Sequence, residues 1–230
     1  MAESLWAILF SGGGMAAPEL KYPYLAVEGP IGAGKTTLAR LLARKVGASL
    51  LLEEVENPFL ADFYAGRKGA AFQCQLFFLL TRYQQQQSLV QRSLFDSRLV
   101  ADYLPRKDKI FAYLNLTDSE LVLYEKLYAL LMENLPKPDA VIYLQATTPV
   151  LRQRIRSRAR NYEKRISDEY VEALNKAYNH FFFHYRETPL LIVNTNDVDF
   201  EREPQELDHL IAQVNRLERE VLFYAPPASR

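Results

Sequence analysis

The chain is expected to fold as one α/β unit around a parallel five-stranded sheet flanked by helices. Two observations predict this. Short apolar runs alternate with helical patterns along most of the 230 residues, which is the signature of a parallel sheet covered on both faces. A glycine-rich loop, Gly29-Pro-Ile-Gly-Ala-Gly-Lys-Thr36, lies between the first apolar run and the first helical pattern.

The expected strands are Tyr24–Val27, Ser49–Leu52, Arg98–Ala101, Ala140–Leu144 and Leu190–Val193. Each is apolar along its length, as strands buried on both faces are. The first helical pattern, Thr37 to Arg44, follows the glycine-rich loop directly. Phe72 to Arg82 reads as an apolar helix, and the polar run Gln84–Gln87 beyond it reads as a solvated face. Thr117-Asp-Ser-Glu120 has the form of a capping box and opens a helix towards Asn134, which Pro136 and Pro138 stop. Thr148-Pro149 opens the next helix, with a break expected at Arg160-Asn161. Ser167 caps a further helix running to about Arg186. Residues 1–20 read as a disordered leader, with Met15 as an alternative start, and residues 21–225 as the folded domain.

Bulk properties narrow the partners. Lys plus Arg and Asp plus Glu both number 28, so the net charge is zero. No broad basic field favours a nucleic-acid polymer or an anionic membrane. The hydrophobic fraction of 49% fills a sizeable core, yet no apolar run is long enough to span a bilayer. The single cysteine, Cys74, excludes an intrachain disulfide and fits a cytoplasmic setting.

The glycine-rich loop fits G-x-x-x-x-G-K-[ST] at every required position, in the strand–loop–helix context the motif needs. The loop residues Gly29, Pro30, Ile31, Gly32, Ala33, Gly34, Thr36 and Thr37 are expected to wrap the phosphates of ATP, with the backbone N–H groups of all but Pro30 available as donors. Lys35 reaches the outer phosphates and the Thr36 hydroxyl suits Mg²⁺. Phosphoryl transfer then needs positive charge, a base and an acceptor pocket. The charge is expected from the run Arg152 to Arg160, where Arg154 and Arg158 share a helix face and Arg160 lies just beyond. The base candidates are Glu53 and Glu54. Adjacent residues at a strand end point opposite ways, so one faces the cleft and one faces away. Gln75 and Arg82, on a similar face of an apolar helix, suit the edge of a nucleobase. His180 and His184 have zinc-ligand spacing but no evident third ligand, so ordinary structural histidines are expected.

Together these motifs resemble the deoxynucleoside kinases, in particular a bacterial branch acting on purine deoxynucleosides. The resemblance covers about residues 22–202. It implies the P-loop kinase fold with an Arg-rich lid, ATP and Mg²⁺ as cofactors, a small deoxynucleoside as substrate, and a homodimer. Glu53-Glu-Val55 is similar to the segment carrying the general base, which implies that role for Glu53. The same resemblance implies that Tyr64 and Glu163 meet the sugar 3′-hydroxyl, and that Gln75 and Arg82 serve the base. It further implies that Phe111 lines the pocket, that Arg154, Arg158 and Arg160 contact phosphates, and that Asp199-Phe200 lies beside the donor adenine. Asp102 takes the place of an acid at the substrate and the metal. The Arg-Ser that follows this acid in the family is absent, and Arg106 is the expected substitute. The implied activity is phosphorylation of a deoxynucleoside 5′-hydroxyl. A nucleoside monophosphate kinase would need cations for the acceptor's own phosphate, with Arg82 and Arg106 as candidates. A non-catalytic nucleotide-binding member would need none of the intact constellation.

Overall fold

The computed structural model describes residues 19–92, 98–132, 135–158, 163–218 and 220–226. The expected leader up to residue 18, the expected helix end at Asn134 and the lid positions Arg160 and Asn161 lie outside the described residues.

Six parallel strands form one sheet: β1 (Tyr24–Glu28), β2 (Ser49–Leu51), β3 (Leu99–Ala101), β4 (Ala140–Gln145), β5 (Leu190–Asn194) and β6 (Val221–Tyr224). Their order is β2-β3-β1-β4-β5-β6. The five expected strands are all present, and the count of five is corrected to six. β6 lies at the sheet edge beside β5, with Leu190 opposite Val221. Its Phe223 is exposed, so it lacks the two-sided apolar pattern that marks the other strands.

Successive strand residues point to opposite faces, and both faces are covered. Leu25, Val27, Ile142, Leu144, Leu191 and Val193 pack on one side with Leu38 and Leu42 of α1 (Lys35–Val46). Ala26, Val141, Tyr143, Leu190 and Ile192 pack on the other with Tyr178 and Phe182, from the helix spanning Asp168–His184. Burying each large side chain contributes about 1.5–3 kcal/mol, so this double layer fixes the sheet against which the site is built.

The remaining helices are α2 (Leu60–Tyr64), α3 (Ala70–Arg92), α4 (Asp108–Asn115), α5 (Asp118–Met132), α6 (Thr148–Arg158), α7 (Asp168–His184) and α8 (Pro204–Arg216). The expected caps form: Ser167 accepts from the Tyr170 N–H at 3.1 Å, and Glu120 accepts from the Thr117 N–H at 2.9 Å. The glutamine run is not a uniform solvated face. Gln84 and Gln87 are exposed, but Gln86 is fully buried and donates to the Tyr24 and Tyr103 hydroxyls. No helix of the described residues is long and apolar enough to cross a membrane.

Strand order reverses around β1, because one connection leaves towards β3 and β2 and the next returns to β4. A crevice at the carboxyl ends of the strands is expected at such a switch point.

Candidate active site

A cleft of about 820 Å³ opens there. Its floor is the loop after β1. Ala33 N–H turns back to the Pro30 carbonyl at 3.1 Å, and Gly34, with φ +96°, stands at the N-cap of α1. Gly32 also has positive φ, +86°, and a Cβ there would lie 2.9 Å from the Leu151 carbonyl oxygen. Glycine is required at that point for both conformation and space. Ile31, Gly32, Ala33, Gly34, Lys35, Thr36 and Thr37 line the cleft, with Gly29 and Pro30 behind them.

Lys35 donates to the carbonyls of Gly29 at 2.7 Å and Pro30 at 3.2 Å. Burial pushes its ammonium down to about 8, against the attraction of Glu28, Glu53 and Asp102 and with the help of Lys107. A phosphate anion favours the charged form. Triphosphate binding is therefore expected to take up a proton once the pH rises above about 8. Titration calorimetry at pH 8.5 in buffers of different ionisation enthalpy checks this. A heat that depends on the buffer is expected, and a buffer-independent heat contradicts it.

Asp102, just past β3, joins the two halves of the cleft. Its Oδ2 accepts from the Thr36 hydroxyl at 2.6 Å, and its Oδ1 accepts from the Glu53 N–H at 2.6 Å. Of the two adjacent glutamates, Glu53 faces the cleft and Glu54 is exposed. Glu53 Oε1 accepts from Arg82 Nε at 3.0 Å and Nη2 at 2.6 Å, and its Oε2 accepts from Lys107 Nζ at 2.5 Å. Burial opposes the carboxylate, but Lys107 and Arg82 outweigh it and hold Glu53 at about 2. Glu53 is therefore ionised throughout the neutral range.

The acceptor side is built on α3 and α4. Arg82 also pairs with Asp108, whose second oxygen accepts from the Tyr124 hydroxyl at 3.1 Å. Gln75 donates from Nε2 to the Asp108 carbonyl at 2.9 Å. Phe111 meets Tyr178 edge to face at 6.0 Å, and Tyr64 lies against Phe63 and Tyr170. The residues expected at the acceptor, Tyr64, Gln75, Arg82, Phe111 and Glu163, all line the same cleft as the phosphate loop.

The lid residues reach this cleft from α6. Arg154 donates to the Thr195 carbonyl at 2.5 Å, and Arg158 pairs with Glu163, donating from Nε at 3.1 Å. Asp199 caps a turn by accepting from the Glu201 N–H at 3.0 Å, and Phe200 is buried beside it. Both line the cleft.

Arg106 does not substitute for the missing arginine. It pairs with Glu187 and lines a separate cavity, with its side chain 41% exposed. The cation that enters the cleft is its neighbour Lys107, 3% exposed. Glu28 was also not anticipated. It is fully buried at the end of β1 and accepts from the N–H groups of Gly29 and Leu104, each at 2.8 Å. A charged residue closing an otherwise apolar strand was its signal. The His180 and His184 rings lie 4.5 Å apart, tilted by 54°, on the exposed side of α7. Among the described residues, no group of three or more His, Cys, Asp and Glu is placed to hold a metal.

The family model for deoxynucleoside kinase matches residues 25–218. The chain belongs to the deoxynucleoside kinase family. Among curated members, deoxyguanosine kinase of Bacillus subtilis (strain 168) is 38% identical, covering 85% of this chain and 97% of that protein. Deoxyadenosine kinase of Dictyostelium discoideum is 34% identical, covering 86% and 82%. Among solved structures, deoxyadenosine kinase from M. mycoides with bound dATP superposes with a TM-score of 0.70 at 28% identity, covering 83% of this chain and 98% of that one. As a deoxynucleoside kinase, the protein needs a donor half and an acceptor half in one cleft, and Asp102 connects them here.

Proposed function

We propose that the cleft transfers the γ-phosphoryl group of ATP to the 5′-hydroxyl of a deoxynucleoside, with Glu53 as the base. The observation that carries this reading is the Asp102 carboxylate. One of its oxygens holds Thr36 of the phosphate loop and the other holds the backbone of Glu53. The phosphate loop and the base are thereby held to the same side chain, which favours a fixed distance between them.

Gly29 to Thr37 cradle the phosphates and Lys35 meets the outer ones. The Thr36 hydroxyl and the Asp102 carboxylate are both oxygen donors at the loop, and such a pair fits Mg²⁺. Bound there, the ion would neutralise charge on the β- and γ-phosphates. Glu53, ionised and hydrogen-bonded, accepts the proton of the 5′-hydroxyl as that oxygen attacks phosphorus. Arg154 and Arg158 leave Thr195 and Glu163 to meet the transferring group, with Arg160 completing the lid. Tyr64 and Glu163 receive the sugar 3′-hydroxyl, Gln75 the base edge and Phe111 its face, while Arg82, paired with Glu53 and Asp108, holds the Glu53 carboxylate instead of the nucleobase. Asp199 and Phe200 border the donor adenine.

The monophosphate kinase alternative loses its candidates. Arg82 is committed to Glu53 and Asp108, and Arg106 lies outside the cleft. A purine acceptor is proposed because the relatives include deoxyguanosine and deoxyadenosine kinases. A cytoplasmic homodimer is part of the same proposal, supported by exposed Val122, Leu123 and Leu130 on α5. The test is ADP release with each deoxynucleoside and each monophosphate as acceptor. Purine deoxynucleosides are expected to turn over fastest. Turnover with monophosphates alone would favour the alternative, and none with any acceptor would favour a non-catalytic member.

A further inference from the structure

The reading above gives no task to one buried cation in the cleft. Lys107 ends the 3-10 turn Pro105–Lys107 and is 3% exposed. Its ammonium lies 2.5 Å from Glu53 Oε2 and 3.8 Å from Glu28 Oε2. These carboxylates belong to different halves of the site. Glu28 is fixed to the phosphate loop through the Gly29 N–H at 2.8 Å, to the segment before Lys107 through the Leu104 N–H at 2.8 Å, and to α7 through the Tyr178 hydroxyl at 3.3 Å. Glu53 stands on the acceptor side.

The hydrogen bonds on Glu53 locate its working oxygen. A carboxylate oxygen has two lone pairs. Both N–H groups that Arg82 directs at Glu53 go to Oε1, while Oε2 accepts from Lys107. Oε2 therefore keeps a lone pair for an acceptor hydroxyl, directly beside the ammonium. A buried ammonium is costly unless paired. Here its two partners are the carboxylate that anchors the donor loop and the carboxylate that serves the acceptor.

We infer that Lys107 is a positioning residue for phosphoryl transfer: it holds Glu53 Oε2 against the Glu28-anchored phosphate loop and so sets the base at a fixed distance from the γ-phosphate. This rests on the reading of Glu53 as the base. In the step it serves, the 5′-oxygen forms its bond to phosphorus and its proton passes to Glu53 Oε2. The bond from phosphorus to the bridging oxygen breaks, and ADP leaves with the electron pair.

The test compares steady-state kinetics of the wild type, Glu53→Gln, Lys107→Met and Lys107→Arg. Loss of positioning by about 1 Å costs on the order of 100-fold. Lys107→Met is expected to lower kcat by about that factor with the KM for ATP within about threefold of wild type. Lys107→Arg keeps a cation between the carboxylates and is expected to recover kcat to within about tenfold of wild type. A folded Lys107→Met enzyme with near-normal kcat would overturn the inference. So would a folded Lys107→Arg enzyme no better than Lys107→Met, because a structural role alone predicts no rescue. Where Lys107→Met does not fold, Lys107→Arg decides: near-normal kcat supports the inference, and kcat as low as that of Glu53→Gln overturns it. Near-normal turnover by Glu53→Gln would instead remove the base reading, and the inference with it.

Discussion

Replacing Glu53 with glutamine is expected to lower kcat by about 10²- to 10⁴-fold, the range a positioned base contributes. The KM for ATP should change little, because Glu53 lies on the acceptor side of Asp102. The amide oxygen can still accept from Arg82, so the folded state should survive. The missing feature is the charged oxygen that takes the acceptor proton. Lys107 and Arg82 hold the native carboxyl at about 2, so the wild type needs no pH adjustment to have its base ionised. Turnover measured by ADP release at saturating deoxynucleoside checks this. Near-normal kcat would transfer the role to Asp102, since Glu54 faces solvent.

Lys35→Ala is expected to reduce kcat by about 10²- to 10³-fold, as loss of one preorganised charge stabiliser does. Its effect should also appear without any acceptor. In the free protein Lys35 is a desolvated cation held by two carbonyls, and an arriving triphosphate supplies its natural counter-charge. ATP should therefore raise the melting temperature of the wild type and do so far less for the variant. An unchanged ATP-dependent shift in Lys35→Ala would mean that the lysine does not meet the phosphates.

These two residues were legible because a short pattern fixes them. Lys35 is set by glycine spacing between a strand and a helix, and a residue just past a parallel strand end opens onto the crevice wherever the sheet switches direction. The five expected strands were legible for a related reason: burial on both faces demands continuous apolar runs. β6 escaped because an edge strand faces that demand less, as exposed Phe223 shows.

The supporting charges were not legible, because a sequence does not show which charges are desolvated. Asp108 is fully buried yet looks like an ordinary carboxylate in a mixed segment, and for the equally buried Glu28 the one sign was its place at the end of an apolar strand. Arg106 and Lys107 show the difficulty most clearly. In a 3-10 turn neighbouring residues point about 120° apart, so one of two adjacent basic residues enters the cleft while the other pairs with Glu187 outside it. Gln86 is the same case on an α-helix, with one member of a polar run turned into the core. Arg158 and Glu163 were given separate partners by resemblance, but in the free protein they bind one another. On the proposed roles, substrate binding and lid closure compete with that pair.

A single cleft is proposed to carry a phosphoryl group directly from ATP to a deoxynucleoside 5′-oxygen. The most direct measurement follows the label from γ-labelled ATP when the enzyme is mixed with deoxyguanosine or deoxyadenosine. The label is expected to appear in the deoxynucleoside 5′-monophosphate in step with ADP release. Label recovered as inorganic phosphate, or only in products made from added monophosphates, would contradict it.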